Sequence, residues 1–440
     1  MTARLSESAT EAIHDAPSLR RGAARSLLAR AVSDPVLAIL DQGVVSGTRF
    51  VTTVAVGRAA GEAELGVYAL AAAGLIFAGV AQEAIVTKPY TVLREGDADP
   101  GYAGSALLQH VGLGGGLAAA LLIAAAAAAA AGATAAAAVL AALAVVTPLS
   151  LLWEFARRMS FAHLHLRTAL AVDCGLAAMQ LGALAGLWAT GRLTALTALA
   201  ATGAGAAVAG AIWLARARAS LRFARGRAGE DWRRSWRFGR WILAAQLCGQ
   251  ACGNAPHWIL AAAVGMAATG RFAAAQNVVL LCNPLILAVG SLLVAQTAAA
   301  RRSGGPAAVR GVTVQTAIAL TGLTGLFWFG LLFAAEPLLG LVYGSSFTSA
   351  APVILLLGLA PLAWSLSTAF EAGLSAIDRP ELGFRAMLAG LLATVVAAVP
   401  LTIFYGAAGA AATVAIGSAV SAAALAVPFL RLTAPPAPHA

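Results

Sequence analysis

Residues 34–57 read DPVLAILDQGVVSGTRFVTTVAVG, residues 58–66 read RAAGEAELG, and residues 67–86 read VYALAAAGLIFAGVAQEAIV. The first run opens with Pro35 and stays apolar to Gly57, interrupted by Asp41, Gln42, Arg49 and hydroxyl residues. The second is closed by Pro89 and Tyr90. Each is about the length a helix needs to cross ~30 Å of hydrocarbon. The stretch therefore reads as a transmembrane hairpin whose first helix is polar along one side.

Outward from this hairpin the same pattern recurs. With 60% hydrophobic and 11% charged residues, the chain lacks the composition of a soluble globular domain. The class is all-α: a polytopic membrane protein with twelve predicted spans, near 35–57, 67–88, 103–131, 134–156, 168–190, 194–215, 239–263, 271–298, 312–334, 349–373, 384–404 and 407–430. The third and fourth are nearly continuous alanine, divided by Gly132 and Thr134. Residues 1–33 contain Glu7, Glu11 and Asp15 and lack a continuous apolar core, so they read as a cytoplasmic tail and not as a signal peptide.

A net charge of +10 suggests nucleic acid, but the basic residues follow membrane topology instead. The tail, the even-numbered connections and Arg431 hold 25 of the 29 Lys and Arg; the opposite side holds Arg58, Arg192 and Arg271. This asymmetry places both termini in the cytoplasm. The longest connection carries nine arginines between Arg216 and Arg240, with Trp232, Trp236 and Phe238, and reads as a helix lying on the anionic inner leaflet. The expected organisation is a tail at 1–33, a six-helix lobe at 34–215, an Arg-rich linker at 216–238, a second six-helix lobe at 239–432 and a tail at 433–440.

The two lobes read as a parallel repeat, because six spans return the chain to its starting side. Shifting the first lobe by 208 residues lays Ala55-Val56-Gly57 on Ala263-Val264-Gly265, Gln42 on Gln250, Ser46 on Asn254 and Arg49 on His257. In the first helix Asp41, Gln42, Ser46, Thr48, Arg49, Thr52 and Thr53 share one sector; in the seventh, Gln246, Gln250, Asn254 and His257 do. Two polar stripes on repeat-related helices fit a shared central cavity. Its expected lining is Arg49, Gln42, Ser46, Gln250, Asn254 and His257. Arg49 stands out as the Arg or Lys clearly inside a span, a position that costs at least ~2.5–3.5 kcal/mol without a partner. It suits an anionic headgroup held by bidentate hydrogen bonds. Asp41, Asp173 and Glu83 are candidate ion-coupling carboxylates, Asp173 having no obvious local partner and Glu83 having Lys88 nearby. Glu154, Arg157 and Arg158 read as a cytoplasmic helix end, paired at i+3 and i+4.

Other chemistries find no support. Cys174, Cys248, Cys252 and Cys282 all lie in apolar runs, and neither Cys248/Cys252 nor the His163-x-His165 pair has further ligands nearby, so no metal site is expected. The Gly112–Gly116 run lacks the Lys-Ser/Thr of a phosphate loop. No catalytic constellation has a water-accessible scaffold. The chain is expected to be neither an enzyme nor a cofactor binder.

The run Asp41-Gln42-Gly43…Ser46…Arg49-Phe50…Ala59-Ala60-Gly61…Glu64-Leu65-Gly66-Val67-Tyr68-Ala69-Leu70 resembles the opening of bacterial Wzx-type polysaccharide flippases. These belong to the superfamily that also holds the MATE drug exporters. The segments Ala84-Ile85-Val86-Thr87-Lys88-Pro89 and Trp153-Glu154-Phe155-Ala156-Arg157-Arg158…Asp173 are similar to that family too. The resemblance implies two rocking lobes in the bacterial inner membrane that flip an undecaprenyl-pyrophosphate-linked oligosaccharide, with polysaccharide assembly proteins as possible partners. Family cavities are often lined with basic residues, and this chain departs from that. Two rival readings are a cation-coupled MATE-type drug exporter using Asp41 and a non-transporting membrane component of a polysaccharide assembly complex.

Overall fold

In hydrocarbon a backbone must satisfy its own hydrogen bonds, so long apolar runs fold as helices, and helices are the regular structure among the described residues. The structure, a computed structural model, describes residues 3–94, 100–218, 221, 223, 226–379 and 381–434, with side chains from residue 36 onward apart from Pro100. The predicted tail at 1–33 lies outside the residues whose side chains are described. Eight segments are long and apolar enough to cross a membrane. Three of them contain a glycine out of helical geometry, Gly61 (φ 87°), Gly305 (φ 63°) and Gly406 (φ 58°). Divided there, and joined by the more polar helix Ala228–Ala263, they form twelve helical rods among the described residues. These are α1 (3–60), α2 (62–93), α3 (Pro100–Ala130), α4 (Thr134–Ala162), α5 (Leu166–Ala189), α6 (Ala195–Ala217), α7 (Ala228–Ala263), α8 (266–304), α9 (306–342), α10 (Ser345–Ala376), α11 (381–405) and α12 (407–432).

Side-chain contacts sort the turns into two ends. At one end, Glu64 accepts from the Ala195 amide at 2.7 Å, Glu62 pairs with Arg271, and Arg58 donates to the Leu341 and Val342 carbonyls. At the other, the Tyr90 hydroxyl meets His163 Nε2 at 2.9 Å, and Arg310 donates to the Leu430 carbonyl at 2.9 Å. All six turns of the first end, α1–α2 to α11–α12, contain a glycine at positive φ: Gly61, Gly132, Gly191, Gly265, Gly344 and Gly406. Gly132 shows why: nothing lies within 4 Å of where its Cβ would be. The constraint there is the left-handed backbone, which L side chains rarely adopt.

The same residues display the repeat. Gly61 matches Gly265, Gly132 matches Gly344, Gly191 matches Gly406, and the two positive-φ non-glycines, Leu164 and Asp378, match each other at the opposite end. The first match sets the offset at 204 residues, not the 208 expected from Ala55-Val56-Gly57. A packing contact fixes it: a Cβ on Gly66 would overlap the Met266 carbonyl, and one on Gly270 would overlap the Glu62 carbonyl. The correction is about one helical turn. Arg49 therefore corresponds to Gly253, Thr53 to His257 and Ser46 to Gln250.

The largest apolar core runs through both halves at the glycine end, from Val56, Leu65 and Tyr68 to Leu260, Phe272, Tyr343 and Phe347. At the arginine end each half has its own core, one around Tyr90, Tyr102 and Phe155, the other around Leu293, Phe370 and Phe429. The halves thus converge at one end and hold separate cores at the other. The Arg-rich connection differs from expectation. Its residues from Ala228 form the first turns of α7 itself, continuous with the predicted seventh span. Asp231, Ser235 and Gly239, four apart, are buried on one face; the Ser235 hydroxyl lies 3.2 Å from that of Tyr102, and Gly239 rides on the Ala84 carbonyl.

A cavity between the halves and a charged ladder beside it

Between the halves lies a cavity of about 360 Å³, within the size range of small-ligand sites. The first half lines it from α1, α2, α4, α5 and α6; the second supplies Asn254 and His257 of α7 and Ala273, Gln276, Asn277 and Leu280 of α8. Toward the glycine end it is stopped by the Gly66–Gly270 crossing and the Glu62–Arg271 pair. Toward the arginine end it reaches Glu83 and Arg158, whose side chain is 38% exposed. A single π turn, Glu83–Thr87, ahead of Pro89 brings Glu83 to this wall. Such a turn accommodates a ring that cannot donate to the helix ladder.

Beside one wall, and reaching it through Glu83, Trp153, Glu154, Arg158 and Asp173, runs a ladder of alternating charge. Arg157 Nη2 donates to Asp41 Oδ2 at 2.7 Å, and Arg157 Nε donates to Asp173 Oδ2 at 2.8 Å and to Asp41 Oδ2 at 3.1 Å. Trp153 Nε1 donates to the other Asp173 oxygen at 2.7 Å. Glu154 lies 3.7 Å from Arg157 and 2.8 Å from Arg158, which reaches Glu83 at 3.1 Å, which in turn meets Lys88 at 3.6 Å. Asp41 and Asp173 are each 1% exposed and Arg157 is 8% exposed. This corrects the expectation that Arg157 belongs to a solvated helix end and that Arg49 is the intramembrane cation. Asp173 has local partners, Trp153 and Arg157, and the buried cation is Arg157 of α4, whereas Arg49 is exposed.

Arg49 stands apart from the ladder. It faces the cavity, and its guanidinium has no hydrogen-bond or ion-pair partner among the described residues. Its charge acts on Glu154 and Tyr68. The ladder holds four carboxylates (Asp41, Asp173, Glu154, Glu83) against three cations (Arg157, Arg158, Lys88). Opposite, Asn277 donates to the Tyr343 hydroxyl at 2.7 Å, and Asn254 donates to the Gln250 side chain at 3.2 Å. His257 is 3% exposed, packs edge-on to Phe272 at 4.7 Å and leaves Nδ1 without a partner.

The expected lining residues divide. Arg49, Asn254, His257, Glu83 and Asp173 bound the cavity; Gln42, Ser46, Gln250 and Asp41 are not among its lining residues. Gln42 instead donates to Ser46 at 3.1 Å on an exposed part of α1. Lining residues not expected from the sequence are Gln276 and Asn277, on a helix whose polar pair sits among alanines and valines, and Gln180, which donates to Thr52 at 2.9 Å. Among the described residues no cluster of His, Cys, Asp and Glu suits a metal ion.

No family model matches the chain, and no curated protein does. Solved structures do match. An inward-facing multidrug resistance MATE family transporter of the MOP superfamily matches with a TM-score of 0.66 at 15% identity, over 91% of this chain and 94% of that one. The lipid II flippase MurJ in an inward closed conformation matches with 0.66 at 12% identity, over 91% and 90%. A MOP superfamily transporter from Pyrococcus furiosus, whose binding pocket is described as of reverse polarity, matches with 0.63 at 14% identity, over 90% and 94%. The chain shares the fold of these solved transporters. It is a multi-pass membrane protein, and the central cavity lies between the two halves of that fold.

Proposed function

We propose that the chain flips a lipid-linked oligosaccharide for polysaccharide export across the bacterial inner membrane. All twelve rods span the bilayer, the arginine end and both termini face the cytoplasm, and the lobes at 34–215 and 239–432 alternate access to the cavity. The chain is a carrier and not an enzyme. Arg49 carries this reading: an unpaired guanidinium in an intramembrane cavity, with Asn254, Gln276 and Asn277 opposite, suits a phosphate or pyrophosphate headgroup next to polar sugar atoms. The shared core at the glycine end supports a cavity reached from the arginine side. An undecaprenyl-pyrophosphate carrier is what the family resemblance implies, the fold likeness to a lipid II flippase supports a lipid-linked substrate, and polysaccharide assembly proteins are the corresponding partners.

The cation-coupled drug exporter is disfavoured by Arg157, which already fills with a tethered cation the space between Asp41 and Asp173. A non-transporting role is disfavoured by the open cavity, with Arg49, Asn254, Gln276 and Asn277 on its walls. The test is polysaccharide export in cells lacking the chain, complemented with wild type, Arg49→Ala or Arg49→Lys at matched membrane levels. Arg49→Ala is expected to abolish export and Arg49→Lys to restore part of it. Full export by Arg49→Ala would remove Arg49 from the mechanism, and drug resistance lost in Asp41→Asn would favour the exporter.

A further inference from the structure

The start of α7 has two faces. Asp231, Ser235 and Gly239 are buried against the first half, whereas Trp232, Arg233, Trp236, Arg237, Arg240 and Trp241 are exposed. Positions 232, 236 and 240 lie one above another on a helix, with 233, 237 and 241 alongside. Trp232 and Trp236 stack at 6.3 Å, and the Arg240 guanidinium lies 5.5 Å from the centre of the Trp241 ring. The face thus interleaves three indoles with three guanidinium groups, and among the described residues of this helix the one exposed carboxylate beside them is Glu230 at the helix start. Arg233, Arg237 and Arg240 form no ion pair among the described residues.

We propose that this face is a binding site for the headgroups of anionic phospholipids. Indole rings favour the interface between headgroups and acyl chains, where an apolar body and an N–H donor are both satisfied. Guanidinium groups beside them bind lipid phosphates through paired donors. The helix runs on directly into the apolar part of α7, which holds the face at the depth of the bilayer surface. The opposite face is locked to α2 and α3 by Gly239 and Ser235, so the bound headgroups sit on the segment that joins the halves. A loosely hanging basic helix would offer nucleic acid the same charge. This one is tied to a span at its C-terminal end and packed along its length, which favours the membrane surface.

The test uses the full-length protein in nanodiscs of phosphatidylcholine containing a minor fraction of either brominated phosphatidylglycerol or brominated phosphatidylcholine. Nanodiscs present both leaflets alike, so the outcome does not depend on the orientation or the transport reading proposed above. Quenching is compared with that of a Trp232→Phe/Trp236→Phe/Trp241→Phe protein to isolate these three indoles. Each arginine near an anionic surface contributes roughly a fivefold preference. The isolated quenching is therefore expected to be markedly greater with the anionic lipid, and Arg233→Gln/Arg237→Gln/Arg240→Gln should bring the ratio of the two to about one, while the triple lysine variant keeps most of it. Equal quenching by both lipids in the wild type would overturn the proposal. So would a preference that survives the glutamine variant, or a single-stranded RNA oligonucleotide that protects these indoles in place of the lipid.

Discussion

Replacing Arg157 with methionine removes the guanidinium that Asp41 and Asp173 share. Its bonds at 2.7, 2.8 and 3.1 Å join carboxylates that are each 1% exposed. Methionine retains much of the apolar stem, so the loss is electrostatic more than steric. Breaking a buried pair by deleting one partner costs ~3–5 kcal/mol, because the other charge is left uncompensated. Two carboxylates are stranded here, and Asp41 Oδ1 already lacks a partner, so the upper half of that range is expected. The triple variant Asp41→Asn/Arg157→Met/Asp173→Asn removes the stranded charges together with their cation. Replacing a whole buried ion cluster by well-packed hydrophobic groups runs from neutral to ~1–4 kcal/mol stabilising, and the asparagine amides, though polar, strand no charge. The triple variant should therefore recover most of the loss. The assay is reversible unfolding in mixed micelles titrated with SDS and followed by far-UV circular dichroism. An Arg157→Met cost below about 1 kcal/mol, or a triple variant no more stable than the single one, would show that the cluster is not held by its charges.

Two further predictions concern the glycine end. Gly66→Ala and Gly270→Ala should each destabilise by ~1–3 kcal/mol, since either methyl drives α2 and α8 apart. They should slow disulfide formation between E62C and R271C alike, whereas Gly132→Ala should cost ~1–2 kcal/mol from backbone strain alone and leave that crosslink untouched. Glu62→Gln should cost less than about 1 kcal/mol in the same unfolding assay, because the pair's side chains are 17% and 34% exposed; a larger loss would make that pair a principal latch.

Much of the fold is legible in the sequence because hydrocarbon leaves a backbone so few options. Gly132 divides α3 from α4 where the alanine run gives almost no other signal, and the observed helices end at Ala130 and resume at Thr134. The repeat was legible in kind but not in register. Alanine matches carry little information, and the offset was set by Gly66 and Gly270, whose demand is for close backbone approach and leaves no pattern of polarity. The charged ladder was hidden for a different reason. Glu154 at i−3 offers Arg157 a sufficient local partner, while its strongest bonds go to residues 116 and 16 positions away. The available signal was level: Asp41, Arg157 and Asp173 each lie within about two turns of the same-side boundary of their predicted spans. The first-helix stripe reads as one surface, yet of its polar residues only Thr48, Arg49 and Thr53 reach the cavity beside Val45, because Gln42 and Ser46 pair with each other on a different side of the helix.

The six glycine turns also bear on how such a chain enters its membrane. In the orientation proposed above, they are the parts that must pass through the bilayer during synthesis. Several are only a few residues long, and Gly406 reverses α11 into α12 with no loop at all. Together these hairpins deliver three arginines, Arg58, Arg192 and Arg271, and a few carboxylates to the far side, so each pair of helices can insert as one unit with most of the arginines left behind as anchors. Lengthening such a turn with charged residues would then be felt during biogenesis, before the finished protein registers any loss of stability.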